Sequence, residues 1–305
     1  MTTDLLEKIR NTRFLKQGTK DEYVRRINDF CDYLGKDLSY CILKPKWFVK
    51  QVMSYIEKHD YGIHTADKIC SVFLAVFNYN QDFKEENKNV FDEWIKESKK
   101  IKTIIDEKYE RNAPTERQVG SYVNFEDIIS KRDLLKTGSQ ERLLVFMYTE
   151  IPPVRNDYHN LRIYKSKPKY NTGNFLVIGT WRIFLNDYKT DKTYETIEID
   201  IPPVLQKEIS HSLEALPRDY LFVSSRTNKP YLSANSFVQW ANRSLKAIFN
   251  NNMSLTTLRH VYISRRDLAL ETKSGTERKN IARIMGHSLE QQQRYLWHSW
   301  LKENK

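Results

Sequence analysis

The sequence predicts a mainly α protein with a small antiparallel β-sheet, built as an N-terminal helical domain followed by an α+β domain. Three observations carry this. Apolar residues recur at helical spacing through the first hundred positions, periodicity stops in the polar run ERNAPTERQVGSYV, and four short β-like runs then interrupt a second set of helical stretches. At 305 residues the chain is long enough for two domains, each able to bury a core of its own.

In the first domain, Thr19-Lys20-Asp21-Glu22 has capping-box spacing and opens a helix whose inward face is Tyr23, Val24, Ile27, Phe30, Cys31 and Leu34. A second helix is expected from about Trp47 to His59, burying Phe48, Val49, Val52, Met53 and Ile56, and Ile69, Val72, Phe73, Val76 and Phe77 mark a third. The fourth, about Val90 to Lys108, turns Phe91, Trp94, Ile101, Ile104 and Ile105 to one side of a charged rod. Residues 1–110 therefore read as a small helical bundle and 111–123 as a linker.

The second domain, 124–305, opens with helices again. Asn124 can cap one running to about Leu135, and Ser139 to Thr149 makes a buried one that Pro152-Pro153 ends. The β-like runs are Leu161–Tyr164, Phe175–Ile178, Trp181–Leu185 and Tyr194–Ile199, with YKTDK turning between the last two. Helices resume at about Ser233–Phe249, Leu255–Leu270, Glu277–Met285 and Leu289–Trp300.

Composition narrows the function classes. Three cysteines, Cys31, Cys41 and Cys70, form no CxxC pair and leave one over, so buried thiols are expected rather than a disulfide framework or a zinc site. The longest apolar stretch, 69–77, is far short of the roughly 20 residues that span a bilayer, and the first ten residues lack a signal peptide's apolar core. An intracellular protein, not secreted and with no membrane partner, is the expectation. The net charge of +11 suggests a polyanionic partner, and the excess is unevenly placed. Residues 1–115 hold 21 Lys/Arg against 19 Asp/Glu, a net of +2, whereas 116–305 hold 29 against 20, a net of +9.

The sequence holds no GxxxxGK[ST] loop, HExxH or paired-cysteine signature, so chemistry must come from side chains without cofactor or metal. Breaking a phosphodiester that way needs a nucleophile, cations around the non-bridging oxygens, and an acid for the departing oxygen. Tyr, Arg, Lys and His can supply all of these, and the last half of the chain holds them in a telling order. Pro153-Val154-Arg155-Asn156-Asp157-Tyr158 follows a buried helix. Lys189-Thr190-Asp191-Lys192 sits on a hairpin turn. Thr256-Thr257-Leu258-Arg259-His260-Val261-Tyr262-Ile263-Ser264, Ile284-Met285-Gly286-His287-Ser288 and Tyr295 come next.

These five elements resemble the tyrosine recombinase (phage-integrase-like) family, whose boxes read HxLRHxxAS and LGHS and whose lysine turn reads KTxxK. The resemblance covers 116–305 through motifs and 1–110 through helical character, which matches the family's core-binding, DNA-clamping domain. It implies site-specific recombination or integration of DNA through a 3′-phosphotyrosyl link, and a viral or mobile-element origin. Arg155, Lys189, Arg259, His287 and Tyr295 are then catalytic, and Lys192 and Thr256 contact DNA. The implied partner is double-stranded DNA, bound by a homotetramer that is a monomer or weak oligomer when free. The sequence departs from the family at three places. Thr256 stands where a His is usual, Asp157 follows Arg155 by two residues rather than three, and Tyr295 follows His287 by eight rather than nine. Tyr295 is the only tyrosine beyond His287. His260 reads as a packing residue, and the stripe Leu296, Trp297, Trp300 and Leu301 as one that packs at home or into a neighbouring subunit. Two rivals stay open: a type IB topoisomerase, and a DNA-binding accessory protein whose site has decayed.

Overall fold

The computed structural model describes residues 2–110, 114–170, 173–188, 195–231, 233–265, 273–286, 288–293 and 296–297. The chain divides into two compact units, Met1–Arg111 and Asn112–Lys305. Among the described residues it is mainly helical with one four-stranded sheet.

The first unit is a bundle of α1 (Thr2–Asn11), α2 (Gln17–Leu34), α3 (Leu38–Ile42), α4 (Pro45–Lys58), α5 (Ile63–Tyr79), α6 (Gln81–Glu86) and α7 (Lys88–Glu110). α5 is central, with Ile69, Val72, Phe73, Val76 and Phe77 all buried. Phe48, Phe73 and Trp94 pack ring on ring, and Trp94 Nε1 donates to the Ile42 carbonyl at 2.7 Å, tying α7 to α3. α2 begins at Gln17, so Thr19 lies inside the helix and no capping box forms. It ends at Gly35, whose φ of +61° costs glycine nothing and any side chain a good deal. Ile104, expected inward, is 45% exposed, because it falls outside the face of α7 that carries Trp94, Ile101 and Ile105 into the core with Val90, Phe91 and Tyr109 packed beside them. The three cysteines are free and buried.

The second unit contains α8 (Glu116–Val119), α9 (Phe125–Asp133), α10 (Gln140–Thr149), β1 (Arg162–Tyr164), β2 (Phe175–Val177), β3 (Arg182–Leu185) and β4 (Ile197–Asp200). It continues with α11 (Pro203–Ala215), α12 (Ala234–Phe249), α13 (Leu255–Ile263), α14 (Gly275–Ile284) and α15 (Leu289–Gln293). The sheet runs β1-β2-β3-β4, and the expected antiparallel sheet is corrected to a mixed one: β1 pairs parallel to β2, while β2–β3 and β3–β4 are antiparallel. β2 leads through a short turn to β3, whereas the β1–β2 connection carries the chain back to start beside β1. Gly179 lets that backbone approach, since a Cβ there would lie 2.4 Å from the Lys165 carbonyl oxygen.

Serine side chains cap several of the helices of this unit. Ser139, Ser233 and Ser254 accept from the backbone N–H three residues on, opening α10, α12 and α13. Asn124 precedes α9 without a side-chain cap bond. α13 ends at Ile263, short of the expected end, α15 is described over Leu289–Gln293, and Leu296 and Trp297 lie outside regular structure. Among the described residues no helix is long and apolar enough to cross a membrane.

Candidate active site

Three segments meet in the second unit. α10 is buried along Leu143–Thr149, and its Tyr148 hydroxyl donates to the Arg155 carbonyl at 2.5 Å. Tyr158 packs edge-on against Tyr148 at 5.8 Å. The turn after Pro152-Pro153 is thus pinned from both sides of Arg155, leaving the half-buried Arg155 side chain to reach across the unit. Its Nη1 donates to the Gly286 carbonyl at 3.0 Å.

α13 supplies the second arginine. All of its residues except Thr256 are buried, so Arg259, 3% exposed, lies in the interior of the unit. A buried guanidinium needs acceptors. Arg259 Nη2 donates to the Met285 carbonyl at 3.1 Å. The two arginines therefore converge on consecutive carbonyls at the end of α14, where Gly286 takes φ +67° and turns the chain immediately before His287. That left-handed residue is the physical reason for a glycine in this box. α14 is itself anchored at its start by a capping box between Ser274 and Glu277.

Asp157 lies in the field of both guanidiniums. Burial pushes its carboxyl above the usual aspartate value of 3.8, and the pull of Arg155 and Arg259 toward the ionised form only partly offsets this. Its surface is not fully closed off, yet protein atoms crowd it on most sides; the crowding governs its ionisation.

Arg155 and Arg259 are thus brought together, and Thr256 is exposed on the first turn of α13, three residues before Arg259. Lys189, Lys192, His287 and Tyr295 lie outside the described residues, but their neighbours are placed. Tyr188, which precedes Lys189, donates from its hydroxyl to the Glu195 carbonyl at 2.8 Å. Beyond Tyr295, Leu296 packs on Tyr262, Ile263 and Met285. Trp297 is 2% exposed, stacks on His260 at 4.3 Å and 10°, and donates its backbone N–H to Ser264 Oγ at 3.0 Å. His260 is therefore a stacking platform, and Leu296 and Trp297 pack within their own chain. Trp300 and Leu301 lie outside the described residues. The stretch read as a linker carries α8, and from it Ser121 Oγ and Gln118 Nε2 reach Thr257 Oγ1 and His260 Nε2 at 3.3 and 3.5 Å.

Among the described residues, no group of His, Cys, Asp and Glu could hold a metal ion. No protein-family model matches the chain, and no curated protein matches it. Among solved structures, a crystal structure of XerA recombinase aligns over 100% of this chain and 97% of its own, at 16% identity and a TM-score of 0.44. That similarity is too slight to carry function.

Proposed function

We propose that the protein is a DNA strand-exchange enzyme that cleaves and rejoins duplex DNA through Tyr295. The observation that carries the reading is the convergence of Arg155 and Arg259, 104 residues apart in sequence, on the two carbonyls that precede His287. A pair of guanidiniums at one point suits the non-bridging oxygens of a single phosphodiester, which two planar forks can bind.

In this mechanism, Arg155 and Arg259 hold the scissile phosphate, and His287 adds a third hydrogen bond. Tyr295, whose phenol has an ordinary pKa of about 10, releases its proton to water as the cationic pocket favours its phenolate, and so becomes nucleophilic. Its oxygen attacks phosphorus, and the phosphorus–5′-oxygen bond breaks. The bond's electron pair goes to that oxygen, which takes a proton from Lys189. The 3′-phosphotyrosyl link keeps the energy of the broken bond, so a 5′ hydroxyl from another strand reseals it without a nucleotide cofactor.

The charge distribution supports a DNA partner. Residues 158–186 contain no Asp or Glu but carry Arg162, Lys165, Lys167, Lys169 and Arg182, and the three lysines are exposed on the loop after β1. Such a surface suits phosphate backbone contacts.

The test is denaturing electrophoresis of a labelled, nicked duplex incubated with the protein in the absence of ATP. A protein-linked strand is expected, and Arg155→Ala or Arg259→Ala should lower its yield by about 10²-fold or more. DNA binding without any linked strand would leave only an accessory DNA-binding protein.

A further inference from the structure

Asn174 stands at the start of β2 and is 3% exposed, and its side-chain amide is fully engaged. Nδ2 donates to the carbonyls of Asp157 and Asp187, at 3.0 and 2.8 Å. Oδ1 accepts from the backbone N–H groups of Asn186 and Asp187, both at 2.9 Å. One buried side chain thereby ties two pieces of backbone that share no strand pairing: the segment two residues after Arg155, and the end of the β3 arm two residues before Lys189.

The surrounding contacts extend the same clamp. Asn186 Nδ2 donates to the Gly173 carbonyl at 2.9 Å, and Thr196 Oγ1 donates to Asn186 Oδ1 at 2.8 Å, which joins the β4 arm of the hairpin to the β3 arm. The Tyr188–Glu195 bond closes the stem beyond them. Asparagine is the residue this junction needs. Its amide offers two donors and a two-lone-pair acceptor in one plane, whereas Asp lacks the donors and Ser cannot satisfy four backbone groups. A buried amide in this position is retained only while all four bonds are made.

We propose that Asn174 is a positioning residue that holds the stem of the Lys189 hairpin in fixed register with the Arg155 segment. The inference rests on the strand-cleavage reading above. Asn174 acts through the backbone it holds: it sets where the proton donor stands relative to the phosphate, and the phosphate grip itself belongs to the arginines. Its loss should therefore impair departure of the 5′ oxygen more than DNA binding.

The experiment compares formation of the protein-linked strand on two nicked duplexes, one ordinary and one with sulfur replacing the scissile 5′ oxygen. A thiolate departs without a proton, since a thiol's ordinary pKa is about 8.5. On ordinary DNA, Asn174→Ala should slow adduct formation by about 10- to 100-fold, less than most of the roughly 10²–10⁴ that a positioned general acid contributes, because the acid is displaced and not removed. On the sulfur-containing duplex most of that loss should be recovered, with DNA affinity unchanged on both. Thr196→Val, which removes only the outer bond of the clamp on an exposed residue, should show a smaller loss with the same recovery. Asn174→Ala cleaving ordinary DNA within about twofold of the unaltered protein, or an equal loss on both duplexes, would overturn the inference. If circular dichroism shows Asn174→Ala unfolded, Thr196→Val decides alone, and an unchanged rate on ordinary DNA overturns it. An unaltered protein that links to neither duplex refutes the strand-cleavage reading, and this inference falls with it.

Discussion

Asp157 is the residue on which the charge balance of the arginine pair turns. Its carboxyl is crowded by protein and held above 3.8 despite two nearby guanidiniums, so in the free protein its ionised form is destabilised relative to the unfolded chain. A carboxyl raised in the fold contributes its stability below 3.8 and loses it as pH rises through the folded value. At neutral pH, therefore, Asp157→Asn should raise the thermal midpoint, and the gain should vanish below 3.8, where both side chains are neutral. Thermal melts of both proteins from pH 3 to 8 check this, and a gain that persists unchanged at pH 3 would contradict it. At this scale the arginines were legible, because each sits inside a short motif of recognisable order. Asn174 was not, because its partners lie 12 to 17 residues away and an Asn in the run NTGNF reads locally as a turn residue.

Elements of the second unit are held together by buried polar links, among them one between α10 and α11. Arg142 meets Glu208 as a two-pronged pair, Nε to Oε2 at 2.9 Å and Nη2 to Oε1 at 3.0 Å. Its Nη1 also takes the carbonyls of Arg132, Asp133 and Leu135 at the end of α9. The two side chains are only 12% and 9% exposed. Arg142→Ala strands Glu208 and three carbonyls, and should cost about 3–5 kcal/mol in urea unfolding. Arg182→Ala, which removes exposed pairs with Glu198 and Asp200, should leave the midpoint unchanged. Equal effects of the two would contradict this account. α11 itself is hidden in the sequence by Pro202-Pro203, which reads as a breaker; the helix instead starts at Pro203, where proline's fixed φ and missing N–H cost nothing. The direction of β1 was also illegible, since three residues of β pattern carry no information about which way their neighbour runs. The caps were not legible: Thr19 and Asn124, the two that the sequence suggests, make no side-chain cap bond, whereas Ser139, Ser233 and Ser254 cap α10, α12 and α13.

The whole molecule joins a near-neutral helical unit to a strongly basic one. If the basic unit grips phosphates, the affinity for duplex DNA should fall steeply with salt, by about 0.9 in the logarithmic slope per phosphate neutralised. Replacing Lys165, Lys167 and Lys169 together by Ala should reduce that slope by up to about 3 while leaving folding intact. Titrations between 50 and 300 mM salt measure it, and an unchanged slope would remove this loop from the interface. The central claim is narrower, that a covalent bond forms between DNA and Tyr295, and peptide mapping of the linked species tests it most directly. Trypsin cuts after Arg294 and releases a peptide from Tyr295 to Lys302 with Tyr295 as its only tyrosine. Mass spectrometry of the nuclease-trimmed adduct should find the nucleotide on Tyr295 in that peptide, with none formed by Tyr295→Phe; a nucleotide on any other residue, or an adduct that survives Tyr295→Phe, would contradict the assignment.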